Sequence, residues 1–430
     1  MRRFLALLLT ALLLIAGCQR PTTAEPASPM RFAFVRGGDL WLWQDGEERR
    51  LTTGAPVRFP RFSPTGRYIA YWQENRLMVT SAEGGGPWPV PDVALTSFSP
   101  SIDWHPYDDR LAVVRTLGTQ RSVWVYRITP DAGPEQEGLT VEGWDHPHWR
   151  PDGRYLTISR RESSPANPHV GTAYVATISP ADGEPALLLA DPFEPGTGGD
   201  RCGTGALPLA WSADGDYLLL VRPGWTSSIA ADCNEWLVLD PATGQTAQPG
   251  ASPNTQWAAW SPAEPVLAYV HGPDRVAFAG KELRLIAPPW ERSRRLTPPG
   301  YADREPAWSP SGHSLAFTRG RSEVPRRMDQ PAEGQAIYLV DVESSKTRRV
   351  AGSDGGFGPF WGDDGTLFWF TTGPVAVPPG ETPAKASLRH ARADLPSPLL
   401  TLDQPPLYYG QWAWRQVLDA WIPARPHVRP

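Results

Sequence analysis

The chain has 430 residues, with 49 Pro, 40 Gly, 20 Trp and a formal charge of −5. Proline and glycine interrupt it too often for a helical bundle, and its tryptophans carry too much apolar area for a disordered chain. The mildly acidic balance, with no basic stripe, argues against nucleic acid as a partner.

The first element in chain order is MRRFLALLLTALLLIAGC, with two arginines, an apolar run from Phe4 to Ala16, and small residues before Cys18. That run is short for a bilayer span and has the layout of an export signal, an uncleaved anchor being the alternative. Ile15-Ala16-Gly17-Cys18 resembles a bacterial lipobox. The resemblance implies a signal peptide over 1–17, a lipid on Cys18, and attachment to the cell membrane on its periplasmic or outer side. Residues 18–29 read as the lipidated cysteine and a flexible, proline-rich tether. Two cysteines remain, Cys202 and Cys233. In an oxidising compartment they read as a disulfide, with two buried thiols as the plainer alternative.

From residue 30 the sequence reads as strands: RFAFV (31–35), DLWLW (39–43) and ERRLT (48–52). A repeating unit follows, first as FPRFSPTGRYIAYW (59–72) and most regularly as PAWSPSGHSLAFTR (306–319). Each copy has an aromatic, a turn and an alternating apolar run. The marker aromatics are Phe62, Trp104, Trp149, Trp211, Trp260, Trp308 and Trp361, with a degenerate eighth at Trp414. Their spacing averages about 50 residues, the signature of a supersecondary array. Pro-x-Gly after the aromatic supplies a preset first corner and a residue free to adopt positive φ, so two strands fold back on each other. A third strand such as Ile337-Tyr-Leu-Val340 and a fourth such as Arg294-Arg-Leu-Thr297 complete the unit. Four antiparallel strands per unit make a β-propeller blade, with the marker packed between blades.

Pro306-Ala-Trp-Ser-Pro-Ser-Gly-His-Ser-Leu-Ala-Phe317 is similar to the TolB-type, WD-like propeller repeat. The resemblance covers residues 31 to about 422 and implies an all-β fold; Tyr107-Asp-Asp and Ala263-Glu-Pro depart from the family's turn. Residues 30–423 are expected to form one propeller domain and 424–430 a tail. The first three strands lack an innermost partner, so a C-terminal segment around Tyr409 to Trp414 is expected to supply it and close eight blades. A seven-bladed ring, with Val417 to Ile422 as a surplus strand, is the alternative.

Subtracting the repeat leaves the candidate site. The position just before each marker holds Arg61, Asp103, His148, Ala210, Ala259, Ala307, Phe360 and Ala413. Three successive blades thus carry Arg, Asp and His where most others carry Ala or Phe. Asp145, His146, Trp257, Asp303 and Glu305 are expected in loops just upstream, on the same rim of the channel. The eight residues Arg61, Asp103, Asp145, His146, His148, Trp257, Asp303 and Glu305 form a candidate ligand-binding rim. The pair His146 and His148 has no third ligand fixed by spacing, so neither a metal nor a cofactor is expected, and an inter-blade hydrogen-bond network is the competing reading. Long connections at 161–172, 191–207, 223–234, 320–335 and 372–385 point to a loop-rich binding face.

No catalytic residue is assigned. Ala351-Gly-Ser353-Asp-Gly355 lies between strands without the strand-to-helix context of a nucleophile elbow and reads as a turn. The expected function is that of a monomeric, membrane-anchored lipoprotein that binds an envelope protein, peptide or glycan without chemistry of its own. A propeller hydrolase or lyase, or a sensor of a small molecule or metal, is the alternative.

Overall fold

A computed structural model describes residues 30–94, 102–181, 183–194, 204–224, 234–323, 332–372, 386–393, 395 and 397–423. Their strands form eight four-stranded antiparallel sheets and one two-stranded hairpin. We number the blades in chain order. Blade 1 is Val57–Phe62, Tyr68–Gln73, Arg76–Ser81 and Trp88–Ala94, and blade 7 begins at Phe357–Trp361. Blade 8 takes its three outer strands from the start of the chain, Arg31–Arg36, Asp39–Gln44 and Glu47–Arg50, and its innermost from the end, Leu418–Trp421. The ring is an eight-bladed β-propeller.

The repeat residues do what their chemistry predicts. In blade 1 the turn after the marker is closed by Gly66 N–H donating to Ser63 O (2.9 Å) and Ser63 N–H donating to Tyr68 O (2.8 Å). The divergent turns of blades 2 and 5 keep the second bond, His105 N–H to Arg110 O and Ser261 N–H to Val266 O. Each marker sits opposite a buried aliphatic on the second strand, as Phe62 pairs with Ile69 and Trp308 with Leu315. Its indole reaches the preceding blade. Trp104 Nε1 donates to Arg61 O, Trp260 to Ala210 O, Trp308 to Ala259 O and Trp361 to Ala307 O. These four bonds tie successive innermost strands together, while the marker ring buries apolar area between blades.

Closure differs from expectation in its register. Residues 409–414 are not the innermost strand of blade 8; Leu418–Trp421 pairs with Arg31–Phe34 instead. In blades 1 and 2 the residue before the marker faces an alanine, Arg61 opposite Ala70 and Asp103 opposite Ala112. In blade 8 the residue facing an alanine is Asp419, opposite Ala33. So Asp419, not Ala413, holds that position, and Trp414 is not a marker. Trp421 seals the seam, donating from Nε1 to Pro64 O (2.9 Å) while Arg31 lies 5.3 Å over its ring.

The displaced segment, 403–417, crosses the ring. Asp403 accepts the Gly37 and Gly38 amides of blade 8 (2.9 Å each). The hairpin Leu407–Tyr408 with Gln411–Trp412 then meets blade 5, where Ala277 N–H donates to Tyr409 O (3.0 Å) and Gln411 Nε2 to Arg275 O (2.7 Å). Gly410 presses against Phe278 so closely that a Cβ would lie 2.4 Å from that ring. Trp412 stacks on Phe357 and Trp414 on Phe360, both on blade 7's innermost strand. A segment touching blades 8, 5 and 7 in succession must pass over the central axis. Gly37, Gly38 and Arg275 to Phe278 all belong to connections between second and third strands, so residues 403–412 cap the channel on that face, and Trp414 and Arg415 lie deeper in it, beside Phe360 and Arg61.

Candidate functional site

The sequence-selected residues fall into two groups. Arg61, Asp103 and His148 occupy the last turn-proximal positions of three adjacent innermost strands, Val57–Phe62, Ile102–Trp104 and Asp145–Trp149. They therefore lie at the channel end bordered by the short strand-one-to-two turns, opposite the face of the long connections. Asp145, His146, Asp303 and Glu305 are not loop residues as expected. They lie within the innermost strands Asp145–Trp149 and Tyr301–Trp308, whose register shifts at a bulge. The position three before the marker takes positive φ in four blades, at Phe59, His146, Glu305 and Gly358. That bulge adds a residue to each strand and carries it further from the loops.

Asp103 and His148 face each other, Oδ2 to Nδ1 at 3.9 Å, and their side chains keep 36% and 29% of their surface accessible. Asp103 Oδ2 accepts the Trp149 amide at 2.7 Å. Burial pushes the Asp103 carboxyl up to about 7, with the Trp149 and Trp104 amides pulling the other way. Burial also pushes His148 down to about 4, helped by the neighbouring charge of His146. Both groups favour their neutral forms, as expected where surrounding protein displaces water from a polar side chain. Asp419 repeats the Asp103 contact one blade pair earlier, its Oδ2 accepting the Phe62 amide at 2.8 Å.

The second group is spent on the fold. Asp303 grips Arg319 with both oxygens at 2.7 Å, the two side chains being 1% and 5% exposed. Glu305 Oε2 accepts Thr318 Oγ1 (2.6 Å) and the Gly358 amide of the next blade (2.9 Å). Trp257 is buried with Val270 and Ala277. Asp145 pairs with Arg121 and accepts the His146 amide, and the His146 ring meets Ser159 Oγ at 3.1 Å. Burial lowers the pKa of His146. Ser353 is buried in its turn and donates to Val350 O at 2.7 Å, which leaves no activated nucleophile there. Among the described residues no group of three or more His, Cys, Asp or Glu side chains gathers as a metal ion would need.

The 161–172 insertion is a strand extension, with Arg161 opposite Ala173 and Ser163 opposite Gly171, and Arg161 lies 4.3 Å over Phe193. Cys18, Cys202, Cys233 and most of the other long connections lie outside the described residues.

Sequence reasoning missed Arg415, which the three-residue 3-10 turn Trp414–Gln416 brings beside Arg61. Arg61 Nη1 donates to Pro60 O (2.8 Å) and Arg415 O (3.1 Å). Burial, and then the like charge of Arg61, push the Arg415 guanidinium down to about 10, with Asp419 opposing. No repeat position marks Arg415; the one signal is the excess of chain between blade 7's last strand and blade 8's innermost one.

No protein-family model matches the chain, and no curated protein matches it. Solved structures with a similar fold include a eukaryotic initiation factor, at 13% identity over 92% of this chain and 98% of that one, with a TM-score of 0.49. A TolB protein of Agrobacterium tumefaciens is 17% identical over 78% of this chain and 94% of its own (TM-score 0.31). An oligogalacturonate lyase in complex with manganese is 13% identical over 85% of each (TM-score 0.41). At such identities the likeness concerns the fold alone.

Proposed function

We propose that this propeller is a non-catalytic binding module, held by a lipid on Cys18 outside the cytoplasm, that recruits an envelope protein, peptide or glycan on the face of its long connections. The observation that carries the reading is the cap made by 403–412. It lies across the mouth of the ring, and on this face Tyr301 and Tyr408 remain 41% and 54% exposed. Exposed tyrosines at the centre of a rigid surface suit protein and sugar contacts, since they offer large area at small entropic cost. Orientation agrees with this. Arg31 pairs with Trp421 at the short-turn end of blade 8, so the described chain begins on the face opposite the capped one.

A photo-crosslinking residue at Tyr408, and separately at Tyr155 on the opposite face, tests the proposal in living cells. One reproducible adduct from position 408, lost on Tyr301→Ala, supports it. Adducts confined to position 155 refute it. The lipid is tested separately by a mass shift on Cys18, and the Cys202 to Cys233 bridge by thiol counting with and without reductant.

A further inference from the structure

The fourth strand of each blade lies at the perimeter with one edge unpaired among the described residues, and a protein must keep such edges from pairing with other chains. Most of the ring does so by composition or length. Glu47–Arg50 of blade 8 is four exposed charges, and Trp88–Ala94 of blade 1 holds two prolines. Gly133–Glu142 of blade 2 holds a proline and three glutamates, and Gln245–Ser252 of blade 4 a proline and two glutamines. Blades 5, 6 and 7 end in Arg294–Arg295, Thr347–Arg349 and Leu400–Leu402, two or three residues each.

Blade 3 differs. Its fourth strand, Ala186–Phe193, opens with Ala186-Leu-Leu-Leu-Ala190, which has neither charge nor proline. Leu187 is 58% exposed, Ala186 and Ala190 are exposed, and Leu188 and Leu189 are half-buried. The adjoining acid, Asp191, is buried and spent on Arg222 and the Ala206 amide. A bulge leaves Leu188 without a partner on the third strand, but the fourth strands of blades 1, 2 and 4 carry such an irregularity too, so composition is what sets this edge apart.

We infer that this edge joins two copies of the chain by antiparallel pairing about a two-fold axis at Leu188. The stretch reads the same in both directions. On that axis Ala186 of one copy faces Ala190 of the other, Leu187 faces Leu189 and Leu188 faces its counterpart, so apolar side chains meet apolar ones and no like charges oppose. Pro185 then falls opposite Asp191 and Pro192 opposite Glu184, which ends the ladder on both sides and fixes the register. Two four-stranded blades become one eight-stranded sheet. So short a ladder buries less than a standard interface, which makes the dimer a weak one, in place of the monomer expected from sequence. It forms at the perimeter and does not depend on what the capped face recruits.

Sedimentation velocity of the full chain in detergent, from about 1 to 100 µM, is expected to show a reversible shift from monomer to dimer. Leu187→Lys is expected to weaken the dimer at least tenfold, by setting a charge against Leu189. Leu117→Lys, at a comparably exposed leucine (54%) on blade 2, is expected to leave it unchanged. Because Leu187 faces Leu189 across the axis, mixing Leu187→Lys with Leu189→Glu is expected to recover association that neither variant shows alone. A protein that stays monomeric throughout the range overturns the inference, as does a dimer that Leu187→Lys leaves intact or that Leu117→Lys weakens equally. Failure of the folded charge-swapped pair to recover association overturns the two-fold register. Should Leu189→Glu fail to fold, as read by circular dichroism, the two lysine variants decide alone.

Discussion

Replacing Asp303 by Ala tests whether that carboxylate serves the fold or a ligand. Its two oxygens hold Arg319 at 2.7 Å each, and Arg319 lies over the rings of Tyr301, Phe317 and Tyr338 at 4.5, 5.1 and 5.1 Å. With side chains 1% and 5% exposed, removal of the acid leaves a charge that water cannot reach. Breaking a pair of this kind costs about 3–5 kcal/mol, the aromatic faces recovering only part of it. For a urea slope of about 3 kcal/mol per molar, the midpoint falls by roughly 1 to 1.7 M. Replacing both partners, Asp303→Leu with Arg319→Met, is expected to restore stability to within about 1 kcal/mol of wild type, because no charge is then stranded. Urea unfolding followed by tryptophan fluorescence measures all three variants. A loss below about 1 kcal/mol for Asp303→Ala alone would mean that water enters the site and that the burial argument is wrong.

Three further outcomes follow from the same geometry. Gly66 has φ +71° and any Cβ would lie 2.5 Å from Trp421, whereas Gly37, at φ +61°, has nothing within 4 Å. Thermal unfolding should therefore show Gly66→Ala costing at least about 2 kcal/mol more than Gly37→Ala, which carries backbone strain of about 1 kcal/mol; equal losses would show that the seam yields. The Trp308 indole bonds to Ala259 O at 2.9 Å, but the buried Trp149 indole N–H has no partner in the described residues. Trp308→Phe is thus expected to cost about 1 kcal/mol more than Trp149→Phe in chemical unfolding, and the reverse order refutes the latch. Because the folded Asp103 carboxyl titrates near 7, above its ordinary 3.8, its favourable contribution is complete below about pH 3.8 and is lost as pH rises through 7. His148 acts in the opposite sense, losing its contribution as pH falls from 6.5 to about 4. Asp103→Asn, which keeps an acceptor for the Trp149 amide, should gain stability over wild type at pH 8 relative to pH 4.5. Channel water limits that gain to about 1 kcal/mol, and a gain that is larger at the acid end contradicts the assignment.

Most of the ring was legible because a propeller writes its repeat in residues with little freedom. A marker indole between blades and a glycine at positive φ after it leave few substitutes, so Trp308 and Gly312 announce their strand and turn. The closing strand was misread for the same reason. Trp414 and Trp421 both follow a plausible spacing, and only hydrogen-bond register, Asp419 opposite Ala33, separates the strand from the cap. The bulge was invisible: Phe59, His146, Glu305 and Gly358 share a backbone conformation and no chemistry. Sequence position thus identified Arg61, Asp103 and His148 as neighbours but put them at the wrong end of the channel. Arg415 was out of reach, since it sits in a segment that obeys no repeat.

The pairing of Arg31–Phe34 with Leu418–Trp421 also sets a timetable. Of the described strands, the one that completes blade 8 is the last to be made, and its partner is the first. At ribosomal rates of about 5–20 residues per second, the strand Arg31–Arg36 waits for tens of seconds with one side unmatched. Through that interval the nascent protein offers an open row of amides and carbonyls to any other strand. A chaperone that shields residues 31–36 until the final residues arrive would thus govern how much protein matures, and a chain cut short before Leu418 would never leave that state.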